Sequence, residues 1–408
     1  MDGTQRTNSS PTPPKRSRLK ELAKRIALLL VTVILLLAGA EIAARLLTDP
    51  STRLTERDPV VGQRNLRSFS GEVFNAEAGR RVPVRFNSVG FRGPEWSVEK
   101  PPGVRRIAIL GDSMVAALGV DEDSTMAQQL EAMLNREHPA IRWEVLNFGV
   151  SGASPGQELV LYREVVARYN PDVVVEAFFV GNDLADNSRE LSNNPRIYFD
   201  LDDAGNLHQL PLSGGRAALS QFLNRYSRFY VWQRTALNRA RCRLSAQLGA
   251  LDPGQWIFCK AQQPPEVARA WILSDKIFQT MREEVEKHGS RLAVVVIPSG
   301  PQVYNDAFED VRRQAGEMAA HFDPDYPDQR LAELCRHAGV PCCTMTADFR
   351  AAAGGDSSES DQQWLFFCEG IGHFSDRGNA VAARSVYRFL TDSGPQQSTQ
   401  RPIVGPLR

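Results

Sequence analysis

The stretch RIAILGDSMVAALGV, residues 106 to 120, begins as an apolar run and then turns polar at Gly111-Asp112-Ser113. Glycine, aspartate and serine are residues with which a chain commonly leaves a strand. The same arrangement also places a serine hydroxyl just beyond the end of a buried strand. The triplet alone leaves two interpretations open, because Ser113 could end the strand or act as a nucleophile.

Apolar runs of the same kind recur along the chain and alternate with helical patterns. The runs RWEVLNFG, DVVVEAFFV and RLAVVVIP follow the first one in sequence order. Near-continuous valine, isoleucine and leucine strands separated by helices predict an α/β fold with a parallel sheet covered on both faces. Ligands of such sheets bind beyond the carboxyl ends of the strands. Ser113 is predicted to lie at such an end.

The amino-terminal region predicts membrane targeting. Residues 1–25 are polar and basic, and residues 26–47 are mostly apolar. Positive charge before an apolar run places the amino terminus in the cytoplasm. The run reaches the roughly 20 residues of a full span only by including Glu41 and Arg45, which lie one helical turn apart and can pair. We expect an uncleaved anchor, with a signal peptide cleaved after Ala40 as the alternative.

The remaining chain is predicted to contain one large α/β domain with additions. Residues 48–100 form an amino-terminal extension, and residues 101–392 form the domain itself. The segment of about 190–265 interrupts the α/β alternation with a hairpin pattern and a basic, aromatic helix. Residues 393–408 are expected to be a disordered tail.

Charge and cysteine content exclude several classes of protein. Lys plus Arg equals Asp plus Glu, at 48 each, so there is no basic excess for nucleic-acid binding. No cysteine or histidine spacing fits a zinc site, and we expect neither a metal nor a cofactor. The six cysteines are compatible with export, and Cys242 and Cys259 are the first candidates for a disulfide.

Three predicted strand ends and one late histidine carry residues suited to acyl transfer. Ser113 offers a hydroxyl, Gly152 a backbone N–H without an obstructing side chain, and Asn182 a side-chain amide. A serine hydroxyl needs a neighbouring imidazole to accept its proton, and His373 precedes the last helix. The oxyanion formed from the attacked carbonyl needs fixed hydrogen-bond donors.

These motifs, in this order, resemble the SGNH (GDSL-type) hydrolases. The matching stretches are GDS at 111–113, NxGxxG at 147–152, GND at 181–183 and the late histidine, and NSVGFRGPE at 87–95 looks like the lead-in of membrane-anchored bacterial members. The resemblance implies a flavodoxin-like three-layer α/β/α sandwich and ester hydrolysis through an acyl-serine.

The resemblance also implies a role for individual residues. Ser113 would be the nucleophile, His373 the base, and Ser113, Gly152 and Asn182 the donors of the oxyanion hole. Asp112 is expected to order the turn, and Asp183 is a further supporting residue.

The chain departs from the family where the catalytic acid is expected. The family usually has an aspartate three residues before the histidine, and this chain has Gly370 there. Glu369 is the candidate acid, because a glutamate could orient the imidazole through its second ring nitrogen. The alternative is that the acid is missing and a backbone carbonyl holds the ring.

The sequence therefore predicts an exported serine esterase tethered to the bacterial inner membrane, with its catalytic domain in the periplasm or outside the cell. The expected substrates are acyl esters, with O-acetyl groups on polysaccharide or cell-wall sugars ahead of lipids. Two alternatives remain: an O-acyltransferase that modifies polysaccharide, and a catalytically inactive binding protein.

Overall fold

The structure is a computed structural model that describes residues 15–47, 54–192, 196–211, 222–223, 226–247, 251–354, 364–367, 372–391 and 403–404. The chain divides into two compact units. The smaller unit comprises residues 1–50 and 220–238, and the larger unit comprises the rest. Most of the tail predicted at 393–408 lies outside the described residues, but Ile403 and Val404 are buried in an apolar core, so these two residues are packed rather than disordered.

The strands belong to the larger unit. They are β1 (Thr55–Asp58), β2 (Gly62–Asn65), β3 (Ser70–Asn75), β4 (Arg80–Arg85), β5 (Val104–Gly111), β6 (Arg142–Gly149), β7 (Val173–Phe179), β8 (Phe199–Leu201), β9 (Leu207–Gln209), β10 (Arg291–Ile297) and β11 (Cys342–Thr344).

The helices occur in both units. They are α1 (Lys15–Leu47), α2 (Ser113–Ala116), α3 (Met126–Glu137), α4 (Pro155–Glu164), α5 (Asp183–Asp186), α6 (Arg189–Ser192), α7 (Arg228–Gln247), α8 (Pro265–Lys287), α9 (Gly300–Val303), α10 (Asn305–Ala315), α11 (Tyr326–Ala338), α12 (Thr346–Ala353) and α13 (Asp376–Thr391).

The central sheet has five strands in the order β11-β10-β7-β5-β6, and every neighbouring pair is parallel. Numbered along the chain, the strands read 2-1-3-4-5 from the β6 edge, which is the flavodoxin-like order. The direction of the sheet changes at β5, since the chain adds β6 on one side and β7 on the other. This arrangement confirms the predicted fold class.

Successive residues of β5 point to opposite faces of the sheet and build two apolar cores. Ile107 and Ile109 pack with α3, α12 and α13 on one face. Ala108 and Leu110 pack with α4, α8 and α11 on the other. Both faces of the sheet are thus covered by helices, and this is why the strands read as continuous apolar runs rather than as alternating patterns.

Two antiparallel hairpins precede the sheet in the chain. Strands β1 and β2 form one, and β3 and β4 form the other. Buried residues of this region make a third, small apolar cluster: Leu54, Val73, Val82, Val84 and Phe86. The amino-terminal extension therefore has its own packed structure.

The later insertion contains the predicted hairpin, because β8 pairs with β9 in antiparallel register. The predicted Cys242–Cys259 disulfide is wrong, since Cys259 carries a free, fully buried thiol. Cys259 packs in the core on the α8 side of the sheet. Its backbone bridges to Phe322, so it is held by the core rather than by a cross-link.

The smaller unit contains α1 and the first turns of α7. Residues Lys20–Leu47 of α1 form a helix of 28 residues that is long and apolar enough to cross a membrane, a property that signal sequences share. Arg45 donates from Nε to Glu41 Oε1 at 2.7 Å, so the ion pair expected from the sequence is present.

Candidate active site

Three neighbouring strands deliver the predicted site residues to one edge of the sheet. Ser113 follows β5, Gly152 follows β6 and Asn182 follows β7. Because β5 lies between β6 and β7 and all three are parallel, their carboxyl ends meet. The edge lies where the strand order reverses, which is the usual ligand site of this fold.

The turn after β5 presents Ser113 as the first residue of the short helix α2. The Asp112 carboxylate caps this helix by accepting the Met114 N–H at 2.8 Å. Gly149 at the end of β6 lets α2 approach, because a Cβ there would lie 2.3 Å from the Ala116 nitrogen. Asp112 therefore orders the turn, and it is fully buried while doing so.

His373 lies within hydrogen-bond distance of the serine hydroxyl. Its Nε2 is 2.8 Å from Ser113 Oγ. The backbone carbonyl of His373 accepts from the Phe367 N–H at 2.7 Å, which fixes the loop just before α13. A nucleophile and a base at this distance are arranged for proton transfer.

Glu77 is the carboxylate on the other side of the imidazole. Its Oε2 lies 2.8 Å from His373 Nδ1 and also accepts the His373 backbone N–H at 2.8 Å. Glu77 sits in the turn between β3 and β4, where the Asn75 side chain accepts the Ala78 N–H. Gly372 leaves room for the carboxylate, since a Cβ there would lie 2.7 Å from Glu77 Oε2.

The sequence analysis missed Glu77 and selected Glu369, which lies outside the described residues. Spacing could not reveal Glu77, because 296 positions separate it from His373. The one available signal was an acidic residue at the tip of a hairpin in the amino-terminal extension. The carboxylate at Nδ1 thus comes from a segment that precedes the central sheet.

The two partners shift each other's pKa in opposite directions. Burial alone would lower the pKa of His373, but the hydrogen bond and negative charge of Glu77, with the charge of Asp112, raise it above its usual value. The hydrogen bond from His373 outweighs burial at Glu77 and lowers the pKa of that carboxyl. Glu77 is therefore ionised where His373 begins to lose its proton.

Two backbone N–H groups beside the serine are open to a ligand. Within the ranges that the structure describes, neither Ser113 nor Gly152 donates its N–H to a protein group. Gly152 has φ +75°, a left-handed conformation that favours glycine. Paired backbone donors next to a nucleophile are suited to stabilise an oxyanion.

Asn182 is engaged with acidic neighbours. Its Nδ2 donates to Asp186 Oδ2 at 2.9 Å, and its side chain also forms a hydrogen bond with the Asp112 carboxylate. Asp183 is buried and accepts the Phe179 N–H at 2.7 Å, and burial raises the pKa of its carboxyl. Asp183 thereby closes the turn that carries Asn182.

Two residues of the β1–β2 hairpin hold the loop after β6, and the sequence analysis did not identify them. Gln63 donates from Nε2 to the Ser151 carbonyl at 2.5 Å. Asn65 is fully buried and donates from Nδ2 to the Gly149 carbonyl at 2.9 Å. Both hydrogen bonds fix carbonyls on either side of the turn that orients the Gly152 N–H.

Arg92 of the NSVGFRGPE motif supports the other end of α2. Its buried guanidinium donates to the carbonyls of Ala117 and Val120, the latter at 2.5 Å. Ala117 has φ 48°, a left-handed conformation in which a side chain is strained. The amino-terminal extension thus stabilises the turn that follows the nucleophile.

The described cavity of about 660 Å³ lies away from this site. It opens between α3, α12 and α13 and is lined by residues that include Arg136, Arg384 and Arg388. None of Ser113, His373 and Glu77 lines it. The catalytic groups instead lie in a partly exposed position, with 38% of the His373 side chain and 32% of the Glu77 side chain accessible.

Comparison with known proteins finds similar solved structures only. No family model matches the chain. No curated protein sequence matches it either. LAE5, an α/β-hydrolase enzyme from the metagenome of Lake Arreo in Spain, is 13% identical, with a TM-score of 0.38, covering 69% of this chain and 93% of LAE5.

Two further structures have similar statistics. The acetyl xylan esterase AlAXEase is 13% identical to this chain, with a TM-score of 0.38. The match covers 69% of this chain and 98% of the AlAXEase chain. TesA is 13% identical to this chain, with a TM-score of 0.33. The match covers 69% of this chain and 96% of the TesA chain. The activities in these names describe those proteins, and the chemistry of this chain depends on its own Ser113, His373 and Glu77.

Proposed function

We propose that this protein is a serine ester hydrolase that works through an acyl-serine intermediate. One observation carries the proposal: Ser113 Oγ, His373 and Glu77 form a continuous hydrogen-bonded series with 2.8 Å at each contact to the imidazole. A hydroxyl, a base and an acid that orients the base are the parts of a serine-hydrolase triad. The presence of Glu77 also removes the reason for expecting an inactive binding protein.

In the first half of the reaction, Ser113 Oγ attacks the carbonyl carbon of the ester while His373 Nε2 accepts the hydroxyl proton. Glu77 stabilises the resulting imidazolium through Nδ1. The carbonyl oxygen becomes an oxyanion facing the N–H groups of Ser113 and Gly152, with Asn182 as the third donor. The tetrahedral intermediate collapses when His373 returns the proton to the departing alcohol oxygen, which leaves the acyl group on Ser113.

In the second half, a water molecule replaces the alcohol. His373 accepts a proton from this water, and its oxygen attacks the acyl carbon in the same oxyanion environment. Collapse of the second intermediate breaks the bond to Ser113 Oγ, and His373 returns the proton to the serine. The products are a carboxylic acid, an alcohol and the regenerated enzyme.

The proposal also includes a substrate class and a location in the cell. The family resemblance supports small acyl esters, with O-acetyl groups on extracytoplasmic carbohydrate ahead of lipids. Basic residues that precede the apolar part of α1 place its amino end in the cytoplasm, so an uncleaved helix in the bacterial inner membrane would hold the catalytic unit on the periplasmic side. Intact mass of the membrane-extracted protein tests this location, because cleavage after Ala40 would remove residues 1–40.

Covalent labelling tests the nucleophile directly. A fluorophosphonate probe should label the folded protein at Ser113, and Ser113→Ala should abolish the label. Ser97→Ala is the matched control, because Ser97 is exposed and its hydroxyl donates only to the nearby Glu99 carbonyl. Failure of the folded native protein to label would overturn the acyl-serine mechanism.

A single-turnover assay separates hydrolysis from acyl transfer. The protein is charged with an acetyl ester, and free acetate is measured with and without acceptor glycans. Acetate released at the same rate in both cases supports the hydrolase. Acetyl groups that appear only on the glycan would replace the hydrolase with an O-acyltransferase that uses the same serine.

A further inference from the structure

The smaller unit contains the ion pair Glu41–Arg45, and placing charged side chains in or near the hydrocarbon region of a membrane costs free energy. Glu41 follows Arg25, the last cation of the basic segment, by 16 positions, or about 24 Å along an α-helix. The hydrocarbon core of a bilayer is about 30 Å thick. At the same rise Arg45 lies about 30 Å from Arg25, at the outer boundary of the hydrocarbon region, and Glu41 lies one turn inside that boundary, where a charged side chain needs partners.

The segment at the start of α7 supplies those partners. Ser227 Oγ donates to Glu41 Oε2 at 2.8 Å, and the backbone N–H groups of Arg228 and Phe229 donate to the same carboxylate at 3.0 and 3.1 Å. These are N–H groups of the first turn of a helix, which lack partners within the helix itself. The Glu41 carboxylate therefore caps α7, and its negative charge suits the amino end of a helix.

Arg45 takes part in two further hydrogen bonds between α1 and the start of α7. It donates to the Tyr226 carbonyl at 2.9 Å, and Arg228 donates to the Arg45 carbonyl at 3.3 Å. The amino end of α7 is thus bound to α1 at the level of the Glu41–Arg45 pair. With the Glu41–Arg45 pair near the periplasmic boundary of the inner membrane, the start of α7 lies near that boundary as well.

The exposed side chains of this segment match a membrane interface. We call Phe222, Tyr226, Phe229 and Trp232 the aromatic stripe. Its rings contact each other in pairs, with centroids 4.9 Å apart for Phe222–Tyr226 and 6.1 Å apart for Phe229–Trp232. Tryptophan and tyrosine are enriched where a membrane meets water, because their rings are apolar and carry a polar group.

Three of the four side chains of the stripe are highly exposed for their size, and Phe229 is half-buried. Phe222 is 59% exposed, Tyr226 56% and Trp232 53%, and Leu237 one turn further is 55% exposed. Arg234 is exposed on the same helix, where its guanidinium can reach lipid phosphates. Exposed aromatic and aliphatic side chains together with a cationic one are typical of a helix that lies in the membrane interface.

We propose that the start of α7, with Phe222 and Tyr226, lies on the outer surface of the lipid bilayer as an interfacial helix fastened to the anchor by Glu41. The aromatic stripe enters the boundary between headgroups and acyl chains, and the partner is the membrane that α1 spans. This inference rests on the membrane location proposed above. It adds a second point of membrane contact beyond the anchor.

The test uses tryptophan fluorescence of the full chain in phospholipid nanodiscs of phosphatidylethanolamine and phosphatidylglycerol, with or without bromine near the headgroup end of the acyl chains. Brominated lipid should quench part of the fluorescence. Trp232→Phe should lose that quenched part, whereas the matched variant Trp256→Phe, which changes a half-buried tryptophan packed near Phe322, should retain it.

A second variant addresses the cap. Glu41→Gln weakens the hold on α7 and should reduce the quenching of Trp232 while the anchor stays in the disc. Equal quenching of the native chain and of Trp232→Phe would overturn the proposal. Protection of Trp232 from brominated lipid by added glycan, or by a second copy at high protein density, would also overturn it and would identify the other occupant.

Failure of this inference differs from failure of the proposals on which it rests. Release of the protein from membranes by alkaline carbonate would overturn the anchor itself. A chain that resists carbonate but shows no quenching at Trp232 overturns the interfacial helix alone. Labelling of Ser113 by the fluorophosphonate probe tests the enzyme independently of both.

Discussion

Glu77 Oε2 lies 2.8 Å from His373 Nδ1, although the two residues are 296 positions apart in the chain. The acid comes from a hairpin turn outside the central sheet, whereas the serine and the histidine adjoin elements of the α/β layers. The amino-terminal extension is therefore part of the candidate active site. Its second hairpin contacts His373, its first hairpin contacts the loop that carries Gly152, and Arg92 contacts the turn that follows α2.

Replacement of Glu77 should impair catalysis without unfolding the protein. In Glu77→Gln the amide keeps the size of the side chain but removes the charge that stabilises the imidazolium. We expect kcat for an acetyl ester to fall by roughly 10²–10⁴, as in other triads that lose their acid. The measurement is kcat for p-nitrophenyl acetate, with circular dichroism to verify folding.

Glu369→Gln is the matched control for that experiment. It makes the same chemical change at the residue that sequence spacing favoured. Activity near the native level is expected. A large loss in Glu369→Gln together with a small loss in Glu77→Gln would show that Glu369 is the acid.

The pH dependence of the reaction should reflect the raised pKa of His373. The base must be neutral to accept a proton, so kcat/KM should increase with pH through a pKa above the ordinary 6.5. Removing the Glu77 charge removes the main stabilisation of the imidazolium. The acidic limb of Glu77→Gln should therefore move to lower pH, and a shift to higher pH would contradict the contact.

Gln63 should act as a positioning residue for the oxyanion donor of Gly152. Gln63→Ala removes the hydrogen bond to the Ser151 carbonyl, and such a bond contributes about 1 kcal/mol net. We expect kcat to fall roughly five- to tenfold with KM nearly unchanged, because the oxyanion forms only after the substrate has bound, during attack on its carbonyl. Glu72→Gln, an exposed change in β3, is the control, and an equal effect in both variants would exclude a specific role for Gln63.

Gly149 should tolerate no side chain. A Cβ at this position would lie 2.3 Å from the Ala116 nitrogen and 2.7 Å from the Val115 carbonyl carbon, both of them backbone atoms of α2. Gly149→Ala must displace the helix that carries Ser113, at a cost of about 3 kcal/mol in stability. Thermal unfolding measures the loss, and Gly205→Ala, where nothing lies within 4 Å of an added Cβ, separates steric conflict from the strain of a positive φ.

Glu176 should destabilise the protein as pH rises. It is fully buried in β7, and burial raises its pKa to about 8 although a hydrogen bond from Glu158 opposes the shift. The folded state then holds a proton that the unfolded state releases above its ordinary pKa of about 4.5, so stability falls between these two pH values. Glu176→Gln should raise the melting temperature more at pH 8 than at pH 5, and an equal change at both pH values would contradict the raised pKa of Glu176.

The features predicted correctly from sequence are those with a local signal. The apolar run before Gly111 is buried on both faces, so its composition alone indicates a central parallel strand. Each of Ser113, Gly152 and Asn182 directly follows such a strand, and parallel strands bring their carboxyl ends together whatever the loops do. The strand order 2-1-3-4-5 agrees with the flavodoxin-like arrangement that the family resemblance implies, whereas the apolar runs alone predict only a parallel sheet.

The features that sequence could not reveal depend on contacts across long separations. Glu77 and Gln63 are ordinary polar residues in short hairpins, and nothing in their neighbours marks them as part of the site. Their role comes from the packing of the hairpins beside the loops after β6 and before α13. At Cys259 the sequence predicted a contact that the structure lacks. The even number of cysteines suggested a disulfide, whereas the Cys259 thiol is free and buried among apolar side chains.

The hairpin that carries Glu77 is a point at which one proteolytic cut would inactivate the proposed hydrolase. A single cut in the turn between Asn75 and Arg80 would leave the parallel sheet, the serine and the histidine in place. The imidazole would lose its orienting carboxylate, while the catalytic unit kept its fold. In the same way, a clone that began at Val104 would encode every strand of the central sheet and yet lack the acid of the proposed triad.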